Sequence, residues 1–150
     1  RALHAPPRRG IVAFPMDDLR HAVELARAAR ENAYAPYSGF RVGAAVKVAG
    51  HDLLFSGCNV ENASFGAGVC AERVAMFSLR AAGRSYRPEF LVVVTDADPP
   101  SVPCALCLQV LSEFCPPDFL IHLADTEGVR RTVRFDELLP EPFQFERDDH

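Results

Sequence analysis

Apolar residues recur at Leu19, Ala22, Val23, Ala26, Ala29 and Ala33, and this three-or-four spacing predicts an amphipathic helix over 16–33, with Asp17 or Asp18 placed to cap its start. The period then changes. Residues 40–48 and 53–60 are rich in side chains suited to strands, and Ala49-Gly50-His51-Asp52 between them predicts a hairpin. A helical pattern returns over 70–82 and is stopped by Gly83. Residues 90–95 form a continuous apolar run of the kind buried on both faces of a sheet, followed by a loop containing Asp96, Asp98, Pro99 and Pro100. A third helix starts at Pro103. Residues 119–124 and 129–135 read as two more strands around the Asp125-Thr126-Glu127-Gly128 turn, before a last helical turn at 136–139. Hairpins interleaved with helices predict an α/β fold with a five-stranded mixed sheet and helices on its faces.

Length and composition narrow this further. A chain of 150 residues, 49% hydrophobic, can bury a core of its own and is expected to form one principal domain over 16–140. Residues 1–15, with Pro6, Pro7, Gly10 and Pro15, read as a mobile tail, and 141–150, ending near Asp148 and Asp149, as a solvated C-terminal tail. The net charge of −4 and the scattered basic residues argue against nucleic acid as a partner. No apolar run is long enough to span a bilayer, and the first fifteen residues lack the compact apolar stretch of a secretory signal, so no membrane partner and a cytoplasmic location are expected.

The chemistry enters with the cysteines. Cys70-Ala71-Glu72 opens one predicted helix and Pro103-Cys104-Ala105-Leu106-Cys107 opens another. In a chain of this kind, five cysteines read as metal ligands plus spare thiols, Cys58 and Cys115, and not as a disulfide framework. Cys104 and Cys107, three apart, share a helix face and can grip one ion. Three thiolates are one short of a closed structural zinc site but match a catalytic one, which leaves a position for water. Glu72, two residues from a ligand, is then the candidate proton carrier, and Arg73, within a turn of Cys70, the candidate counter-charge for the thiolates. The competing reading makes Cys58 or Cys115 a fourth ligand and the domain a non-catalytic one held together by zinc. The five histidines form no ligand pair and are read as non-catalytic.

Four strings in order resemble the small cytidine deaminases: Tyr37-Ser38-Gly39-Phe40-Arg41-Val42-Gly43-Ala44-Ala45, Asn59-Val60-Glu61-Asn62-Ala63-Ser64, Cys70-Ala71-Glu72-Arg73, and the Cys104/Cys107 pair. The resemblance covers roughly 17–140. It implies a three-layer α-β-α sandwich, Zn2+ held by Cys70, Cys104 and Cys107, and catalysis by Glu72. It further implies hydrolytic deamination of cytidine and deoxycytidine to the uridine forms with release of ammonia, a step of pyrimidine salvage. The substrate contacts implied are Asn59 and Glu61 on the sugar, with Phe40 and Ala71 at the base. A homotetramer is implied as well, in which Phe143 enters a neighbour's site.

That chemistry needs a nucleophilic oxygen at neutral pH, a donor for the ring nitrogen and a proton for departing ammonia. Zinc lowers the pKa of water, and one carboxylate can serve all the proton transfers. The family pattern Pro-Cys-Gly-x-Cys-Arg-Gln is broken by Ala105 and Leu108, with Gln109 kept, and Phe65 stands where many members have tyrosine. Those departures leave Arg73 as the chief cation near the thiolates. They also keep open a related deaminase of a modified aminated nucleoside, of the blasticidin S type.

Overall fold

The computed structural model describes residues 16–145, so the tail expected at 1–15 and the last five residues lie outside the described residues. Helix α1 (Met16–Glu31) is followed by strands β1 (Gly43–Val48) and β2 (Leu54–Cys58), helix α2 (Ala71–Ala82) and strand β3 (Pro88–Val94). Helix α3 (Ala105–Phe114), strands β4 (Leu120–Ala124) and β5 (Val129–Arg134), and the short helix α4 (Phe135–Leu138) complete the order.

The strands form one sheet in the order β2-β1-β3-β4-β5. Only β3 and β4 run parallel, through the crossover made by α3, while the other three pairings are antiparallel. The sheet is mixed, as the pattern of hairpins and helices predicts. On one face α1 buries Ala22 and Ala26 against Ala45, Phe90, Val92 and Val94. On the other, α2 and α3 bury Met76, Leu79 and Leu111 against Val46, Val48, Leu91, Val93, Ile121 and Leu123. Alternation along β1 and β3 divides their side chains between two cores, which makes three layers.

The edge hairpin is squeezed from both sides, and two glycines make that possible. A Cβ at Gly43 would lie 1.9 Å from the Ala26 carbonyl oxygen of α1, and one at Gly57 would lie 2.7 Å from the Ala71 carbonyl of α2. Only glycine allows such close approach of helix to strand.

The element ends differ from expectation for identifiable reasons. Helix α1 begins at Met16, so Asp17 and Asp18 occupy its first turn instead of capping it, and Asp18 faces the buried ammonium of Lys47 at 3.6 Å. It stops at Glu31 because Asn32 and Ala33 bond back to Ala29 and Arg30, three residues earlier, after which the Tyr34 N–H donates to the Asn59 carbonyl. Strand β1 starts at Gly43, three residues later than the pattern predicts, because the Phe40 carbonyl, the Arg41 carbonyl and the Val42 N–H are taken by side chains. Cys70 and Cys104 fall at the N-caps of α2 and α3, just outside the helices expected to contain them.

Candidate active site

The N-termini of α2 and α3 converge on the same side of the sheet, and each brings sulfur. Cys70 and Cys104 have extended backbone angles at the two caps, and Cys107 sits in the first turn of α3. Their Sγ atoms are 3.8 Å apart for Cys70 and Cys104 and 3.5 Å for Cys104 and Cys107, all three lying within 4.8 Å of one another. Tetrahedral zinc with Zn–S bonds near 2.3 Å holds its sulfurs about 3.8 Å apart, so the spacing and the soft donor set both fit that metal. No fourth donor joins them among the described residues. Cys115 caps the far end of α3, about 15 Å along the helix axis from Cys104, and Cys58 ends β2. A four-sulfur closed site is therefore not formed, and His21, His51 and His122 stay out of the cluster.

The electrostatics around the sulfurs are uneven. The Cys70 thiol is pulled down to about 5, chiefly by a hydrogen bond from Cys107, with Arg73 adding its charge and a hydrogen bond. Cys107, the donating partner, is pushed up. The guanidinium of Arg73 reaches Cys70 Sγ through Nη2 at 3.9 Å. Its buried Nε–H makes no hydrogen bond to the described residues. Helix N-termini add their partial positive charge at both caps.

Glu72 lies in the first turn of α2 and is only 5% exposed. Burial, aided by the charge on Cys70, raises its carboxyl to about 7, while Arg73 and the Cys107 thiol pull the other way. A carboxyl buried beside three thiols can take up or release a proton close to neutrality.

A cleft of about 460 Å³ opens over Cys70 and Arg73, walled by Tyr37, Ser38, Asn59, Val60, Glu61, Asn62 and Phe65. Glu61 and Asn59 are both held. The Glu61 Oε2 accepts the Tyr37 N–H at 2.8 Å and the Ser38 N–H at 3.2 Å, and Oε1 accepts the Ser38 hydroxyl, which keeps its pKa low. Asn59 Oδ1 accepts the Val42 N–H at 2.8 Å, and its Nδ2 donates to the Phe40 carbonyl at 2.7 Å. By lone-pair count, the carboxylate retains one acceptor site and the amide retains one N–H and one acceptor site.

Of the residues singled out from sequence, Cys70, Cys104, Cys107, Glu72 and Arg73 come together, and Asn59 and Glu61 share a wall of the cleft. Phe40 is partly exposed near that wall without lining the cleft. Ala71 is fully buried in the core between sheet and helices. Phe143 is 73% exposed on the C-terminal segment and does not line the cleft of its own chain; its backbone N–H and carbonyl pair with the Gln109 amide. The sequence singles out Phe65 but gives no role to Tyr37 or Ser38. Their signal is the Tyr37-Ser38 pair immediately before Gly39 and Phe40, whose amides and hydroxyl seat the Glu61 carboxylate. Phe65 packs edge-on against Tyr37, ring centroids 5.8 Å apart.

Three sulfurs beside a buried carboxyl are a donor set of the kind that catalytic zinc sites use. The family model for the cytidine and deoxycytidylate deaminase zinc-binding region matches residues 16–123. A cytidine deaminase from Halalkalibacterium halodurans is 40% identical over 129 residues, 86% of this chain and 96% of that protein. One from Sporosarcina psychrophila is 38% identical over 130 residues, 86% and 93% of the two. Among solved structures, cytidine deaminase from Burkholderia pseudomallei superposes with a TM-score of 0.76 at 44% identity, covering 83% of this chain and 98% of that one. The chain belongs to the cytidine and deoxycytidylate deaminase family and is a zinc-binding enzyme. No helix among the described residues is long and apolar enough to cross a membrane.

Proposed function

We propose that the enzyme hydrolyses the exocyclic amine of cytidine and deoxycytidine, yielding the uridine forms and ammonia. One observation carries the reading: a three-sulfur cluster and a buried Glu72 lie beside a cleft whose wall presents Asn59 and Glu61. Cys70, Cys104 and Cys107 would hold the zinc, which when bound supplies the Lewis acidity that makes water nucleophilic at neutral pH. Glu72 takes one proton from the attacking water and delivers it to the ring nitrogen beside the amine-bearing carbon, then carries the second proton from the added hydroxyl to the amine as the C–N bond breaks and the carbonyl forms. Arg73 offsets thiolate charge through the guanidinium that reaches Cys70 Sγ.

The cleft wall accounts for a nucleoside. A sugar hydroxyl can donate to the acceptor site left on Glu61 while accepting the spare Asn59 N–H, so both groups serve the ligand without releasing the loop that they hold. Phe40 offers a ring face to the base, and Ala71 lies beside Glu72, where backbone can meet it. We assign residues 16–140 to the catalytic domain and the reaction to pyrimidine salvage in the cytoplasm, where free nucleosides are met. A homotetramer in which Phe143 reaches a neighbouring cleft is supported by the exposure of that ring and by the Gln109 clamp on its backbone.

Phe65, 81% exposed beside Tyr37, supplies no hydroxyl at the cleft, which favours as second reading a modified aminated nucleoside of the blasticidin S type. Turnover of cytidine, deoxycytidine, cytosine and blasticidin S, followed by ammonia release, separates the two. Cytidine is expected to win; if it is untouched while another heterocycle is converted, the first reading fails. Glu72→Gln is expected to keep one zinc per chain and lose about 10²–10⁴-fold in kcat.

A further inference from the structure

Three consecutive peptide units before β1 owe their conformation to side chains from elsewhere. The Phe40 N–H donates to Ser38 Oγ at 3.0 Å and the Phe40 carbonyl accepts from Asn59, while the Val42 N–H donates to Asn59 Oδ1. The carbonyl between them, that of Arg41, accepts from Arg30 Nε at 3.1 Å. Arg30 comes from the last turn of α1, on the far side of the strand from the cleft, and is 8% exposed. The last turn of α1 can lie this close to the strand because position 43 is glycine: a Cβ there would lie 2.7 Å from the Arg30 backbone nitrogen and 2.8 Å from the Arg30 Cβ.

The same guanidinium is committed at its other end. Nη2 donates to Asp96 Oδ2 at 2.8 Å, and Nη1 lies 3.4 Å from Glu31 Oε1. Asp96 follows β3 and opens the loop that runs to Pro103 and Cys104. One planar fork therefore ties the segment carrying Phe40 to the loop delivering two of the three sulfurs. Arginine suits such a task because its donors are fixed in direction, which a lysine ammonium cannot reproduce.

We infer that Arg30 is a positioning residue for the nucleoside, acting through the Arg41 carbonyl on Phe40 and Asn59 and through Asp96 on the sulfur-bearing loop. The inference rests on the nucleoside reading above. It touches no substrate itself.

The test compares zinc-loaded wild type, Arg30→Ala and Arg30→Lys by cytidine kinetics and by amide hydrogen exchange resolved at Val42. Arg30→Ala is expected to raise KM for cytidine about tenfold with a smaller change in kcat, the size of one lost charge-assisted hydrogen bond. Exchange at Val42 should quicken by a similar factor while amides in β3 and β4 stay protected, and Arg30→Lys should recover part of both. Unchanged KM or unchanged Val42 exchange in folded Arg30→Ala overturns the inference. So does a uniform acceleration across β3 and β4 with KM unmoved, the mark of a purely structural role. If Arg30→Ala does not fold, Arg30→Lys alone carries the comparison. Should wild type fail to turn over cytidine, the substrate reading falls, while Val42 exchange still decides whether Arg30 orders 40–42.

Discussion

Replacing Gly57 by alanine should injure catalysis more than stability, although the residue lies in a strand and outside the cleft. An added Cβ would meet the Ala71 carbonyl oxygen, the Ala75 nitrogen and the Val74 Cβ, each at 2.7 Å. Ordinary contact begins at 3.4 Å, so the first turn of α2 must retreat by about 0.7 Å. Two of the three obstacles are backbone atoms, which no rotamer change can clear. That turn carries Cys70 on one side of Ala71 and Glu72 on the other. Its retreat opens the 3.8 Å separation of Cys70 and Cys104 sulfurs, already at the spacing that zinc requires, and moves the carboxylate with it. Overpacking of this kind costs about 1–3 kcal/mol of stability. A misplacement approaching 1 Å in a positioned catalytic group costs about 10²-fold in rate. We expect Gly57→Ala to remain folded, to lower kcat/KM for cytidine by about that factor, and to release zinc to a competing chelator faster than wild type. Gly66→Ala is the control, because a Cβ there meets nothing within 4 Å. Wild-type kcat/KM and zinc retention in Gly57→Ala would refute the claim that this close approach sets the position of the α2 N-terminus.

Two further outcomes follow from hydrogen-bonded polar side chains. Asn59→Asp keeps an acceptor for the Val42 N–H but sets a carboxylate oxygen against the Phe40 carbonyl, now 2.7 Å from the amide nitrogen; urea denaturation should show a loss of about 1–3 kcal/mol, with KM for cytidine raised. An unchanged urea midpoint would mean that the amide does not hold that loop. His122 is buried, accepts or donates one hydrogen bond at Thr132 Oγ1, and is held down to about 4 by burial. Between its unfolded value near 6.5 and 4 the unfolded chain binds a proton that the folded one refuses, so stability falls with falling pH by up to about 3 kcal/mol and is level above 6.5. In His122→Leu the pH dependence of the unfolding free energy over that window should flatten; a slope equal to that of wild type would show that other groups cause it.

Much of this architecture is legible in the residue pattern because local and tertiary demands agree. The run Phe90 to Val94 is apolar throughout and fully or almost fully buried, since β3 lies between two layers of helix. The three sulfurs are legible for a similar reason: each occupies a helix start, where sequence signals are strong. The 40–48 pattern misleads at its beginning, because Phe40 and Val42 look like strand residues while the Phe40 N–H and carbonyl and the Val42 N–H are taken by the Ser38 and Asn59 side chains. The hold that Asn59 and Glu61 keep on the 37–42 segment is invisible in the sequence. So is Arg30, whose helical position gives no hint that its guanidinium joins the Arg41 carbonyl to Asp96.

The hairpin of β1 and β2 has a helix resting on each side at a position without a side chain, α1 at Gly43 and α2 at Gly57. The separation between α1 and α2 across the hairpin is consequently a main-chain thickness at these two points, set by missing side chains and not by the size of the aliphatic residues around them. Relatives can exchange Val, Ile and Leu through the two cores and drift far apart in composition without recalibrating the gap, provided these two points of support stay bare.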